Sequence, residues 1–248
     1  MAKQEKKIYF VSDVHLGAQS LDNIQEREKS FSRWLEEIRK DAGMLFLMGD
    51  IFDFWFDYKS VIPRGFTRTL GKIAEIADDG IPVHFFTGNH DLWVFDYLSS
   101  ELGVHVHHEE CMMTLYGKKF FLAHGDGLDA GDKKYLFLKK IFTNKILQKL
   151  FSMLHPNIAF SIAHAWSKKS RLNKGLDFTF RENDGIYEYA KALSKKESFE
   201  YFVVGHRHLM INRLLANKAH FIILGNWITY NSYGVFDGET FELKRYKE

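Results

Sequence analysis

Five short clusters of Asp, Asn and His each follow a hydrophobic run: Asp13-Val14-His15, Gly49-Asp50-Ile51-Phe52-Asp53, Gly88-Asn89-His90-Asp91, His124-Gly125-Asp126 and Gly205-His206-Arg207-His208. Their side chains are nitrogen and oxygen donors suited to divalent cations of intermediate hardness. A single cysteine, Cys111, argues against a structural thiolate zinc site. Glycine beside nearly every cluster permits sharp turns and close backbone approach. Open α/β sheets place their ligand crevice just beyond strand ends, so the pattern points to metal-assisted chemistry in such a crevice.

The runs that precede the first three clusters, Lys7–Val11, 44–48 and 82–86, are rich in aromatic and branched residues, as buried strands are. Between the first two, Ile24, Phe31, Trp34, Leu35 and Ile38 recur at helical spacing, and Phe66, Leu70, Ile73, Ala74 and Ala77 repeat the alternation. Strand, helix, strand predicts a layered α/β unit with parallel neighbours. Segments 112–116 and 119–123 read as two strands joined by a tight turn at Gly117-Lys118. Tyr201–Val204, 219–224, 233–236 and 240–246 supply more strand, with Asp237-Gly238 as a hairpin signal. These late strands, which lack intervening helices, predict a second sheet. From 135 to 166 dense apolar residues are interrupted by lysines, which predicts amphipathic helices separated at His155-Pro156.

The 248 residues, with 46% hydrophobic, 27% charged and three prolines, suit one large folded domain and exclude a disordered chain or a long array of modules. One cysteine cannot form an internal disulfide, and Met1-Ala2-Lys3-Gln4-Glu5-Lys6-Lys7 carries no apolar stretch of signal-peptide type. The expected compartment is therefore the cytosol. No window has the roughly 18 consecutive apolar residues of a membrane span. The net charge of +2 conceals an asymmetry: residues 133–174 hold ten Lys and Arg and no acid, leaving 24 basic against 32 acidic residues elsewhere. Such a segment suits an anionic partner: phospholipid headgroups, a phosphorylated substrate or nucleic acid. No recognised nucleic-acid motif accompanies it, so nucleic acid is not the expected partner.

Taken together and in order, the clusters resemble the pattern of the calcineurin-like metallophosphoesterases: D-x-H, G-D-x-x-D, G-N-H-D, H-G-D and G-H-x-H. The likeness spans roughly residues 7 to 226. It implies a four-layer αββα sandwich of two mixed sheets, one domain over 1–248, with two divalent metals at the strand ends. By position, it implies one metal on Asp13, His15, Asp50 and His208, and the other on Asp50, Asn89, His124 and His206, with Asp50 bridging. Two cations about 3.5 to 4 Å apart can share a hydroxide and clamp phosphoryl oxygens during in-line displacement. His90 then stands beside the metals as general acid or charge-stabilising donor, with Asp53 to orient it and Asn89 beside it.

Gly49 to Trp55, an insertion after His124-Gly125-Asp126, and Gly225-Asn226-Trp227 are further similar to the UDP-2,3-diacylglucosamine diphosphatases of lipid A synthesis. This likeness implies hydrolysis of the pyrophosphate to UMP and 2,3-diacylglucosamine 1-phosphate, usually with manganese, although Fe, Zn and Mg tolerate the same donors. It implies a helical lid over 127–184 that embraces the acyl chains, with Asp132, Tyr135, Ser167, Arg171 and Lys174 as substrate-binding residues. The last three share one helical face. Arg171 stands where asparagine is common in that family, and His90 where arginine is. The lipid-linked nucleotide and the anionic cytoplasmic face of the inner membrane are the expected partners. A general phosphodiesterase or nucleotide pyrophosphatase, a phosphoprotein phosphatase, and a non-enzymatic scaffold are the rival readings.

The remaining polar residues read more plainly. His105, His107 and His108 lack a clear carboxylate or cysteine companion and are expected in exposed strand or loop. His84 is expected to be a satisfied core side chain, and His155, His164 and His220 have no metal role. Asp91 and Asp126 are expected to cap a helix or fix a turn.

Overall fold

The computed structural model describes residues 6–19, 21, 23–174 and 179–247, with the side chains of 170–174 outside the description. The first half runs β1 (Lys7–Val11), α1 (Ile24–Ile38), β2 (Ala42–Met48), α2 (Thr67–Asp78), β3 (Val83–Phe86), α3 (Tyr97–Leu102) and β4 (His105–His107), alternating as expected through β3. β1 to β4 pair in parallel. β1, β2 and β3 are buried on both faces, which is why these stretches are nearly continuously apolar, whereas the edge strand β4 is His-Val-His with no fully buried residue. Tyr9, Val11, Leu45, Leu47, Val83 and Phe85 meet Phe31, Trp34, Leu35 and Ile38 of α1 and Leu70, Ile73 and Ile76 of α2.

The second half runs β5 (Cys111–Leu115), β6 (Lys118–Leu122), α4 (Lys133–Thr143), α5 (Lys145–Ser152), α6 (Pro156–Lys174), α7 (Gly185–Leu193), β7 (Tyr201–Val204), β8 (Met210–Leu214), β9 (His220–Leu224), β10 (Ser232–Phe236) and β11 (Phe241–Arg245). One sheet has the order β11-β10-β1-β2-β3-β4 and the other β5-β6-β7-β9-β8. Phe10, Phe46, Met48 and Phe86 of the first pack against Phe120, Leu122, Val203, Ile222 and Leu224 of the second. Ile186 and Ala190 of α7 cover the outer face of the second sheet at Phe121, Phe202 and Phe221. The layers are therefore helix, sheet, sheet, helix.

Four features depart from the sequence expectations. The β10–β11 hairpin joins the first sheet, antiparallel to β1, rather than building the second. Pairing partners across more than 200 residues leave no local trace in the chain. The β5–β6 turn is Tyr116–Gly117, both with positive φ, so Lys118 already belongs to β6. The helical stretch breaks at Asn144 as well as at His155-Pro156, because the Asn144 side chain caps α5 by accepting from the Ile146 and Leu147 amides. His107 is half-buried rather than exposed, since its Nε2 meets Nδ1 of His84 at 2.9 Å across β3 and β4. That bond also satisfies His84. α3, α7 and β8 had no sequence expectation; α7 is nonetheless capped by Asp184, whose carboxylate accepts from the Ile186 and Tyr187 amides.

Candidate metal centre

The five clusters leave the carboxyl ends of β1, β2, β3, β6 and β7, on one rim of the sandwich. Beyond the strands, the loops stay bonded to one another: the Asp13 amide donates to Gly49 O, His15 to Asp50 O, Asp53 to Leu16 O and Gly205 to His124 O. Asp13, His15, Asp50, His206 and His208 all adopt positive φ and make up five of the nine non-glycine residues that do so among the described residues. L-residues pay for that conformation, and they hold it where surrounding structure over-determines it. Here it turns each side chain inward over the rim. Close approach also needs glycine: a Cβ on Gly88 would lie 2.2 Å from Asp50 Oδ1, and one on Gly49 2.4 Å from His124 Nδ1.

Each central carboxylate is anchored by one oxygen and presents the other. Asp13 Oδ2 accepts from Ser12 Oγ at 2.7 Å and from the His206 amide at 2.9 Å. Its Oδ1 faces His208 Nε2 at 3.4 Å and His15 Nε2 at 3.8 Å. Asp50 Oδ1 accepts the His90 amide at 2.8 Å, while Oδ2 faces His124 Nε2 at 3.4 Å and His15 Nε2 at 3.8 Å. Among the described residues, two groups that could hold a cation are Asp13, His15 and His208, and Asp50, His124 and His206. A third, His15, Asp53 and His90, was not foreseen as a ligand group.

The donors fit divalent cations by a test internal to the site. Asp13 Oδ1, Asn89 Oδ1 and His124 Nε2 are buried polar atoms with no hydrogen-bond partner, an arrangement otherwise costly in a folded protein. His124 Nδ1 donates to Met48 O at 2.8 Å, which leaves the Nε2 lone pair for a ligand. His15 Nδ1 lies 3.7 Å from Asp53 Oδ1, the carboxylate–histidine pairing that orients metal-binding imidazoles. The chemistry of the set, imidazole nitrogen with carboxylate and amide oxygen, suits a dinuclear site of divalent ions.

Burial presses the His15 imidazole down to about 4, partly opposed by its Asp53 partner. Burial would depress His124 as well, but Asp50 outweighs it and lifts this imidazole to about 10. Asp13 is pushed up by burial, whereas Asp50, facing His124 and His90, is held well below the usual carboxylate range despite its burial.

His90 is oriented by Asp53, but through the main chain: its Nδ1 donates to Asp53 O at 2.9 Å, with the carboxylate at 3.6 Å. Its ring stands edge-on to His15, with centroids 4.7 Å apart. Asp91 has the structural role expected of it. Its carboxylate accepts from the amides of Gly88, Asp50, Ile51 and Phe52 at 2.7 to 3.2 Å, pinning the second cluster to the third. Asp126 accepts from Tyr135 Oη and Lys139 Nζ, tying α4 to the end of β6. Asn226 fixes the fifth cluster from outside it, its Nδ2 donating to His208 O at 3.0 Å.

Of the residues expected on the helical segment, Ser167 reaches the centre: it is buried, and its Oγ lies 3.1 and 3.0 Å from the two Asp53 carboxylate oxygens. Tyr135 meets Asp126, and its ring lies 6.3 Å from that of His206. Asp132 is exposed and caps α4 by accepting the Tyr135 amide. The side chains of Arg171 and Lys174 lie outside the described residues. Two features escaped the sequence reading. Arg207 grips both ends of the segment, with Asp184 at 2.9 Å and Asp129 at 3.2 Å. Where the segment meets the first half of the chain, Phe54 and Trp93 form a ring cluster with the segment's own Phe151 and Phe160, and Trp93 Nε1 donates to Phe142 O at 2.7 Å. Their spacing, scattered over 100 residues, offered no common signal.

The sequence pattern of the calcineurin-like phosphoesterases matches residues 6–210. A UDP-2,3-diacylglucosamine hydrolase of Porphyromonas gingivalis is 41% identical over 253 aligned positions, covering 96% of this chain and 97% of that protein. A protein of the same name from Shewanella baltica is 28% identical over 226 positions, 90% of each chain. Among solved structures, an archaeal phosphodiesterase shares the fold with a TM-score of 0.50 at 11% identity, over 97% of this chain and 99% of that one.

Proposed function

Because the chain belongs to the calcineurin-like phosphoesterase family, we propose that it is the metal-dependent hydrolase that cleaves the pyrophosphate of UDP-2,3-diacylglucosamine to UMP and 2,3-diacylglucosamine 1-phosphate. The observation that carries this reading is Ser167, which joins a cationic, apolar helical segment to a carboxylate of the donor cluster. A substrate with two acyl chains on a diphosphate matches both characters of that segment. It is the lid of a single domain over 1–248, spanning 127–184.

In this reading Asp13, His15, Asp50 and His208 hold one cation, and Asp50, Asn89, His124 and His206 the other, with manganese the favoured ion. Bound there, such a pair supplies Lewis acidity toward phosphoryl oxygens and lowers the pKa of a water at neutral pH. Asp50 would be the residue shared by both cations, and its Oδ1 already accepts the His90 amide. His90, with Nδ1 given to Asp53 O, directs Nε2 to the reacting diphosphate and stabilises or protonates the departing oxygen. Tyr135, Asp132, Ser167, Arg171 and Lys174 bind the substrate from the lid, and the ring cluster it shares with the first half of the chain shields the acyl chains from water.

The outer face of the segment supports docking on an anionic membrane, the cytoplasmic face of the inner membrane. Ile158, Ile162 and Trp166 form an exposed stripe on α6, where Lys168 and Lys169 are also exposed, and Ile146 and Leu150 of α5 and Met153 just beyond it are exposed as well. Each lysine near an anionic leaflet contributes about 1 kcal/mol. No helix of the described residues is long and apolar enough to cross a membrane. The test is release of UMP from UDP-2,3-diacylglucosamine by manganese-loaded protein. Turnover of bis-p-nitrophenyl phosphate alone would favour a general phosphodiesterase, and turnover of neither a scaffold.

A further inference from the structure

The inward face of α6 brings Phe160, His164 and Ser167, spaced by four and three residues, over the second cluster. Phe54, next to Asp53 in the chain, packs edge-on against the Phe160 ring at 5.1 Å and against His164 at 6.5 Å, setting the helix above the carboxylate. Ser167 already reaches Asp53. His164 Nδ1 does not: it is buried, makes no hydrogen bond, and stops 3.9 Å from Asp53 Oδ2. Buried polar atoms are nearly always paired, so an atom held one short step from a carboxylate implies a second position in which the bond is made. A shift of α6 by about 1 Å brings the pair into ordinary hydrogen-bond range.

We propose that His164 is a positioning residue of the metal centre: as the lid settles, its Nδ1–H joins Ser167 on the Asp53 carboxylate and ties lid closure to the orientation of His15. The proposal rests on the assigned function in three respects: the segment is a lid, the donor cluster holds metal, and His90 faces the substrate. The Asp53 carboxylate faces His15 Nδ1 at 3.7 Å, and its own carbonyl accepts from His90 Nδ1. Fixing that one residue from above therefore sets the imidazole that points to Asp13 and Asp50 together with the one that points to the substrate. With the lid raised, Asp53 loses two donors and both imidazoles lose their common brace. Outer partners of this kind act on affinity and rate without touching the reacting atoms.

The test is a set of three substitutions in the full chain, loaded with manganese, with kcat, KM and manganese affinity measured for each. Asparagine places an amide N–H near the position of Nδ1, glutamine near that of Nε2, and phenylalanine keeps the packing on Phe54 and Phe160 with no donor. His164→Phe is expected to lower kcat by about tenfold with less than a threefold change in KM. His164→Asn restores kcat to within about threefold of wild type, and His164→Gln does not. In an Asp53→Asn background, His164→Phe changes kcat by less than threefold, because the partner is already altered. Wild-type kcat in His164→Phe, rescue by glutamine instead of asparagine, or fully additive loss in the double variant would each overturn the proposal. Rates are read with UDP-2,3-diacylglucosamine and with bis-p-nitrophenyl phosphate. Wild-type turnover of the diester alone would refute the assigned substrate, and the same cycle on the diester then decides the role of His164.

Discussion

The rim of strand ends and the helical segment above it are built on opposite terms. At the rim Asp13, His15, Asp50, Asp53 and His124 are buried and Asn89, His90, His206 and His208 half-buried, several stand in positive-φ backbone, and each carboxylate is held by amides or hydroxyls. In the segment α4 buries no residue and α5 only Gln148, while α6 buries Ala159 and Ser167 among its described side chains. Large apolar side chains there face outward instead: Phe137, Ile146 and Met153 are 65%, 72% and 76% exposed. The rim is therefore a rigid frame suited to hold charge at fixed positions, and the segment a lightly packed cover joined to it by a few polar bonds. Local stability follows packing, so motion is expected in the second and chemistry in the first.

The comparison fails most directly if the rim can lose a donor and still work. Asp50→Ala should reduce metal-dependent hydrolysis on the order of a thousandfold or more. Elemental analysis of the purified variant should give fewer than two metal ions per chain. Next in size is the frame itself. Asp91→Ala strands four buried amides and should cost about 3 to 5 kcal/mol in urea unfolding, while Asp91→Asn, which keeps one acceptor oxygen, loses less. An unchanged midpoint for Asp91→Ala would mean that the rim is not held as the bonds suggest.

The segment should respond in the opposite way. Ile158→Glu with Ile162→Glu alters exposed positions and should leave unfolding within about 0.5 kcal/mol of wild type. The same pair should abolish co-sedimentation with phosphatidylglycerol vesicles and raise KM for the lipid nucleotide about tenfold, with bis-p-nitrophenyl phosphate turnover unchanged. Smallest is a pH effect placed away from both regions. Burial, then His107 and His105, depresses His84 to about 4. The folded protein therefore binds fewer protons than the unfolded chain between about pH 6.5 and 4, and the contribution present above that window is lost as pH falls through it. His84→Phe should lose about 1 to 2 °C less in melting temperature than wild type between pH 7.5 and pH 5. An equal loss in both would place the acid sensitivity elsewhere, with the rim histidines or the segment.

Much of the site was legible because each cluster is contiguous. Donor types, neighbouring glycines and a preceding strand all fall within a few residues, so Asp13, His15, Asp50, Asn89, His124, His206 and His208 announce themselves one cluster at a time. The first three strands and the first two helices were equally plain, since burial on one or both faces imposes a pattern on the chain. The β10–β11 hairpin was visible as a hairpin but not as part of the first sheet, because strand pairing over long separations depends on which edge is open after the rest has folded. Ser12 and Arg207 were given no role of their own and Asn226 was noted only as part of a family-like motif; their partners are what distinguish them.

By itself, then, the amino-acid order determined the kinds of donors, their arrival at strand ends, and an apolar, cationic stretch placed between the fourth cluster and the fifth. Those properties are local, carried by side-chain chemistry and periodicity. Tertiary structure alone decided that five of the seven inward donors sit in left-handed backbone, that Asp53 braces His15 with its carboxylate and His90 with its carbonyl, and that Ser167 and His164 stand over it. The reason is physical: a strained dihedral or a bond between residues more than 100 positions apart is stable only when the packed sandwich holds both ends in place, and no short window of sequence contains that constraint.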